Sequence, residues 1–363
     1  MRKKLLFLLP LMVVPFLMTS CIGTKEQTIT NVVTKEGEEV EVMRIKNSIT
    51  DVYKEASKSC VGIYASNVTS ASVGSGVIYK KEGSYYYVVT NHHVINKMTS
   101  IKIYDGDKYY YKANLIGSDK TNDIAVLKFN TDVYGEYREF KSLDIFNEEL
   151  GDIPTVGQTV LAIGCPLDLQ HYNSVSSGIV SRYTLENITT DAALNPGNSG
   201  GGLFNVNGKL LGIVNSGQVW TTTEDGQIPV EGEGNAISIY VVKKCITDIE
   251  SRQTEIERPL LGVSVVTVNS ILEGAVYDEV KAYLPAGEPD ICYTVVKAVV
   301  PNSLAENNGI KVNDVILEIN GKKVMKNSEI GEVLHVSNPG DVINLKIYRS
   351  SLSQTIDVAI TIN

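Results

Sequence analysis

Thr190-Asp191-Ala192-Ala193-Leu194-Asn195-Pro196-Gly197-Asn198-Ser199-Gly200-Gly201-Gly202 sets one serine among residues that let a backbone turn where side chains would obstruct it. Glycine accepts conformations closed to other residues, so this loop can aim consecutive N–H groups at one point beside the hydroxyl. Donors converging there make an oxyanion hole with a nucleophile in it. A plain Gly/Ser/Asn turn between strands has the same composition, and the rest of the chain has to separate the two readings.

A serine hydroxyl is a weak nucleophile until a base takes its proton, and the base needs a carboxylate to orient it. Upstream, Tyr87-Val88-Val89-Thr90-Asn91-His92-His93-Val94-Ile95 places histidine after an apolar, β-branched run that reads as a buried strand. Thr121-Asn122-Asp123-Ile124-Ala125-Val126-Leu127 places aspartate at the mouth of another. The order His, Asp, Ser is that of chymotrypsin-like proteases; subtilisins and α/β-hydrolases have other orders.

Thr90 to Ile95, Asn122 to Lys128 and Thr190 to Gly201 resemble the three catalytic segments of the HtrA/DegP serine endopeptidases. The resemblance implies His93 as base, with His92 at the variable position before it. It implies Asp123 as the orienting carboxylate, Asp119 falling four residues early where the family often has a second acid. It implies Ser199 as nucleophile, with Gly197, Asn198 and Ser199 forming the oxyanion hole. Gly202 departs from the proline usual there.

The same resemblance places the specificity pocket at Ala193 and Leu194, with a wall at Val214, Asn215, Ser216 and Gly217. None of these is charged. A pocket without a buried acid cannot offset the desolvation of lysine or arginine, so cleavage is expected after small or medium aliphatic residues. Backbone pairing along Asn215 to Gly217 would restrict substrates to unfolded segments.

Outward from these segments, residues 61 to about 240 are short β-rich runs cut by Gly, Asn and Asp, including Gly76–Tyr79, Tyr85–Thr90, Ile124–Phe129, Thr159–Ile163 and Asn235–Ile239. The spacing reads as mainly β, a barrel or a sandwich. The family resemblance implies a chymotrypsin-like double β-barrel. The clusters Tyr85 to Tyr87 and Tyr109 to Tyr111 read as amphipathic strand residues, with carbohydrate binding as the other reading. Residues 220–234 read as an exposed polar loop, and residues 239–256 as a closing helix and linker.

From Arg258 the pattern changes. Arg258 to Val263, Val299 to Ala305, Gly309 to Gly321 and Asn338 to Asp341 resemble the PDZ domain that HtrA proteases carry, an α+β unit. Such domains take a peptide as an added strand and hold its terminal carboxylate, here at Leu260, Leu261, Gly262 and Val263. Asn320-Gly321 is itself a tight-hairpin signal. A helix is expected over residues 275–283.

At the other end, Arg2, Lys3 and Lys4 precede an apolar run from Leu5 to Met18 and then Thr19-Ser20-Cys21. The run is too short for a spanning helix of about 20 residues and reads as a secretory signal. Cysteine at the cleavage point resembles a bacterial lipoprotein signal, making Cys21 the lipidated first residue of an exported chain anchored to the outer face of the cytoplasmic membrane.

The expected division is therefore a signal peptide at 1–20, a tether at 21–47, a trypsin-like protease domain at 48–242, a closing helix and linker at 243–257 and a PDZ domain at 258–363. Loss of the basic head takes the formal charge from -9 to -12. That acidity argues against nucleic acid as a partner. Cys60, Cys165, Cys245 and Cys292 lack metal-ligand spacing and read as isolated thiols, with no cofactor implied. The resemblance implies an exported endopeptidase acting on unfolded polypeptides and binding peptide C-termini, of a family whose members are commonly homotrimers. The other functional class is a chaperone or peptide-binding module that has lost catalysis.

Overall fold

The computed structural model describes residues 29–33, 39–43, 48–107, 109–133, 139–146, 153–215, 220–223, 226–229, 232–269, 275–286 and 292–362. The signal segment with Cys21, and Ser216 and Gly217 of the expected pocket wall, lie outside them. The chain divides into a unit ending at Ser48 and one running from Ile49 to Asn363. In the first, Ile29–Val33 and Glu39–Met43 pair as antiparallel strands, Ile29 opposite Met43.

The larger unit opens with an eight-residue helix, Ile49–Ala56, that buries Val52 and Ala56. Six strands follow: Cys60–Ser66, Ala71–Glu82, Tyr85–Thr90, Ser100–Tyr104, Tyr110–Asp119 and Ile124–Asn130. The last two pair with each other and close the sheet into a barrel. Alternation puts Tyr86 and Tyr111 inside, where they pack with Phe129 and Phe140, while Tyr85 and Tyr110 face outward. Apart from Tyr109, which just precedes its strand, the tyrosine clusters are thus strand residues divided between core and surface.

A second closed barrel comprises Thr159–Gly164, Ser174–Tyr183, Asn187–Thr190, Gly202–Asn205, Leu210–Asn215 and Gly234–Ser238. Its core holds Val160, Val180, Ile188, Leu203, Leu211 and Val214. A further apolar cluster spans both barrels, from Val77, Val89 and Val126 to Ile163, Phe204 and Ile213, and takes in Val242, Cys245, Ile246 and Ile249 of the helix Ile239–Arg252. Burying one stripe of that helix against the two barrels holds their facing edges together, and the site lies along those edges.

One sequence expectation needs adjustment here. Trp220–Thr223 and Gly226–Pro229 pair as an antiparallel hairpin instead of a plain loop. The closing helix ends at Arg252, capped by Gln253 at φ 52°, and Glu255–Ile256 then adds a short parallel strand to Tyr110–Asp119. β-Branched Thr221 to Thr223 in one arm and Ile228 in the other suit strand geometry better than their polarity suggested.

The third body is one sheet in the order Val263–Asn269, Cys292–Val299, Val315–Ile319, Val342–Arg349, Gln354–Thr361, with Lys322–Lys323 paired to the middle strand. Asn320 and Gly321 both have positive φ, as their hairpin requires. The helix Ala275–Val280 and the 3₁₀ turn Lys281–Tyr283 occupy the expected span. Val263, Val265, Ile330 and Leu334 share an apolar cluster between the first strand and the helix Ser328–Leu334. Among the described residues no helix is long and apolar enough to cross a membrane.

Candidate active site

Each barrel contributes one side of the site. In the first, the strand Tyr85–Thr90 runs into Asn91, whose extended backbone starts the short helix His92–Ile95. Asp123 precedes the strand Ile124–Asn130 and has φ 54°, the left-handed region in which aspartate is tolerated. That conformation points its backbone and carboxylate toward the histidine turn. Asp123 O accepts from His92 N at 3.1 Å and from Asn91 Nδ2 at 3.0 Å. Its Oδ1 accepts from His93 N at 2.8 Å, and its Oδ2 lies 2.7 Å from His93 Nδ1. Four contacts fix the Asp123 turn to the histidine turn, one of them joining carboxylate to imidazole, and the ring stays half exposed.

The second barrel brings Asn215, whose Nδ2 donates to the same Asp123 Oδ2 at 3.2 Å. One strand residue earlier, Val214 O accepts from Gly200 N at 2.9 Å and Val214 N donates to Gly201 O at 2.8 Å. The residues following Ser199 are therefore tied to the strand whose next side chain holds the carboxylate. A second tie closes the loop from the other side. An ideal Cβ at Gly74 would lie 2.6 Å from Val94 Cγ1 and 3.2 Å from Ser199 O, so the residue after His93 and the backbone of Ser199 meet over one glycine.

The turn from Asn195 to Gly201 is pinned peptide by peptide. Pro196 O accepts from Leu167 N at 2.6 Å, and Asn198 O accepts from Gly201 N at 2.9 Å. A trans peptide is planar with its C=O and N–H opposed, so each bond aims the amide on the other side of its plane. These amides belong to Gly197 and Ser199. Asn198 N donates to Asn195 O at 3.0 Å, so this amide, expected from the sequence as an oxyanion donor, is instead used within the turn itself. Among the described residues the Gly197 amide has no acceptor. Gly197 sits at φ 98°, and a Cβ there would come within 2.3 Å of Cys165 O, so the turn requires glycine.

The expected specificity residues take different surroundings, with Leu194 packed against the apolar cluster that holds Val214. Val214 is buried in the core of the second barrel and the Asn215 side chain turns to Asp123. Ala193 is exposed and its carbonyl accepts from Ser176 Oγ at 2.8 Å. Leu194 packs over Gly234, where a Cβ would lie 2.5 Å from Leu194 Cδ1. Asp119 is fully buried and away from the histidine: Arg258 Nε, Asn122 Nδ2 and Cys245 Sγ reach it at 2.7, 2.8 and 3.3 Å. Sequence reasoning missed Asn215 as a partner of Asp123, because a pairing across 92 residues has no local signal.

In the third body, Leu260 is 71% exposed and Leu261 is buried. Gly262 has φ 79°, and its carbonyl accepts from Val300 N at 2.8 Å. This loop leads into Val263–Asn269, an edge strand of its sheet. Cys60, Cys165 and Cys245 are buried free thiols and Cys292 is partly exposed. No His/Cys/Asp/Glu group that could hold a metal ion occurs among the described residues.

A family model described as trypsin-like peptidase domain matches residues 74–213, and one described as PDZ domain matches residues 295–349. The chain is 34% identical over 305 residues to the Serine protease Do-like HtrA of Lactococcus lactis, covering 80% of this chain and 71% of that protein. It is 34% identical over 326 residues to the protein of the same description in Bacillus subtilis, covering 85% and 68%. A probable periplasmic serine endoprotease DegP-like of Marinomonas is 32% identical over 301 residues, covering 80% and 56%. Among solved structures, the serine endoprotease from Yersinia pestis superposes with TM-score 0.59 at 28% identity over 88% of this chain and 99% of that one. The HtrA-type protease AlgW with tripeptide gives 0.64 at 26% over 87% and 97%.

Proposed function

The chain belongs to the HtrA family of serine proteases, a trypsin-like peptidase domain followed by one PDZ domain, and from that premise we propose how its residues divide the work. His93 takes the proton of Ser199 as the hydroxyl attacks a peptide carbonyl, and Asp123 keeps the imidazole in the tautomer that presents its other nitrogen. The amides of Gly197 and Ser199 stabilise the oxyanion. An acyl-enzyme forms and water releases it. The observation that carries this reading is the double clasp of Asp123 by His93 and Asn215, one from each barrel.

The substrates are unfolded polypeptides, cut after small or medium aliphatic residues beside Leu194, since none of Ala193, Leu194, Val214, Asn215, Ser216 and Gly217 carries a charge. The loop Leu260 to Val263 and the edge strand after it receive peptide C-termini as an added strand. The periplasmic naming of the Marinomonas relative, with the basic head, apolar run and Cys21 of the sequence, supports an exported chain anchored by lipid. We assign 48–242 to the protease domain, 243–257 to the rest of the closing helix Ile239–Arg252 with its linker, and 258–363 to the PDZ domain.

A fluorophosphonate probe should label the wild-type protein and spare Ser199→Ala, in parallel with loss of casein degradation. Absence of labelling in every condition would instead favour a chaperone without catalysis. A peptide library cut mainly after arginine would overturn the aliphatic preference.

A further inference from the structure

We propose that Ser75, on the inner strand Ala71–Glu82 of the first barrel, is a positioning residue that sets the angle between the two oxyanion donors. The proposal rests on the catalytic reading of Ser199 given above. Ser75 is fully buried, and every polar group it carries is engaged at the site. Its N–H donates to Ser199 O at 2.8 Å. Its Oγ donates to Gly197 O at 2.7 Å and accepts from Cys165 N at 2.8 Å. Its carbonyl accepts from Thr90 Oγ1, three residues before His93, at 2.7 Å.

The geometry gives these contacts a specific consequence. Leu167 N and Gly201 N pin the peptides that carry the Gly197 and Ser199 amides. Between those two planes lies the peptide joining Gly197 to Asn198, and its carbonyl is held by the Ser75 hydroxyl. Fixing that middle plane fixes the rotation of one donor plane relative to the other. Leu167 and Gly201 use backbone amides for their pins. Ser75 uses a side chain, and it reaches across from the other barrel.

The surroundings are shaped to admit it. A Cβ at Gly164 would stand 2.8 Å from Ser75 Oγ, and a Cβ at Gly200 would stand 2.1 Å from Ser75 O. Two side chains are absent so that this serine can approach the turn. A residue that served only to fill the core would not need a hydroxyl there, since burying an unpaired hydroxyl costs free energy.

The test compares wild type with Ser75→Ala by steady-state kinetics on an unfolded peptide substrate, with active sites titrated, and by inhibition with a peptide boronate, whose tetrahedral adduct fills the oxyanion hole. Loss of one oxyanion donor costs about a hundredfold to a thousandfold, so loosening the pair should lower kcat about tenfold or more and weaken boronate binding in step, with KM nearly unchanged. A folded variant with wild-type kcat per active site and wild-type boronate affinity overturns the proposal. Should the alanine variant not fold, Ser75→Cys fills the space with a slightly larger atom, weakens the donor and carries the same comparison. Failure of both to fold overturns it as well, because the hydroxyl would then serve the fold and not the turn. Wild-type protein that takes no fluorophosphonate would instead overturn the catalytic reading itself.

Discussion

The Arg258 guanidinium donates from Nε to the Asp119 carboxylate at 2.7 Å, with both side chains almost wholly out of water. Arg258 follows the short strand Glu255–Ile256, and Asp119 ends the strand that leads to the Asp123 turn. The same guanidinium reaches Asp248 Oδ2 at 2.7 Å and Ser337 O at 3.3 Å. Asn122 bridges onward, donating to Asp119 and to His335 O at 3.1 Å. The acid that lies four residues before Asp123 is thus a structural anchor between domains.

Removing one partner of a buried ion pair leaves a charge without compensation, at a cost of about 3–5 kcal/mol. Arg258→Ala should therefore shift the urea unfolding midpoint strongly downward. A surface control, Lys58→Ala, loses an exposed pairing with Glu55 and should move it little. Equal midpoints for both variants would contradict the anchoring role.

Asn215→Ala should reduce kcat while the protein stays folded. A hydrogen bond to a charged group contributes about 1.5–3 kcal/mol, which in a transition state corresponds to roughly tenfold to a hundredfold in rate. Asn215→Asp should do worse, since it sets a like charge against Asp123. Kinetics on a chromogenic peptide, with active-site titration, separates lower turnover from lost protein.

Gly262→Ala would require a side chain at φ 79° whose Cβ lies 2.2 Å from that of Ser303. Strain of this kind costs on the order of 1–3 kcal/mol, enough to lower affinity for a C-terminal peptide about tenfold. Fluorescence anisotropy with a labelled peptide reads the loss. Fluorophosphonate labelling of Ser199 should be unchanged, which distinguishes damage to the loop from damage to the whole chain.

Burial pushes the Glu332 carboxyl above its ordinary range, with Glu186 and Glu329 adding repulsion and Lys322 and Lys326 opposing. A carboxyl whose folded pKa is raised favours the fold most below its unfolded value, and that contribution is lost as pH rises through the folded value. Glu332→Gln should therefore raise the thermal midpoint at neutral pH and give no gain at about pH 3, below the unfolded carboxylate range. A gain that persists at the acid end would show another cause.

Burial also raises the thiol pKa values of Cys60, Cys165 and Cys245. Of the four described cysteines, Cys292 is the partly exposed one. An alkylating reagent at neutral pH should modify Cys292 first, since thiolate and access both govern the rate. Peptide mapping by mass would reveal any earlier reaction at the other three.

Much of the fold was legible because strands announce themselves locally. Tyr85–Thr90 and Ile124–Asn130 follow their β-branched composition, and Asn320-Gly321 turns as its dipeptide requires. The residues 220–229 misled because their polarity suggested a loop while their threonines suited a hairpin. Ser75 carried no visible signal, since a serine between two glycines reads as a turn until its partners are known.

By itself the sequence determined the chemistry available: one serine in a glycine turn, one histidine after a buried strand, one aspartate before another, in an order shared with a known family. Only the tertiary structure decided how these are held. Asn215 meets Asp123 across 92 residues, Ser75 meets Gly197 across 122, and Arg258 meets Asp119 across 139. Local composition governs which backbone shape each segment prefers, but a buried hydrogen bond between distant segments exists only once packing has excluded water and fixed both partners.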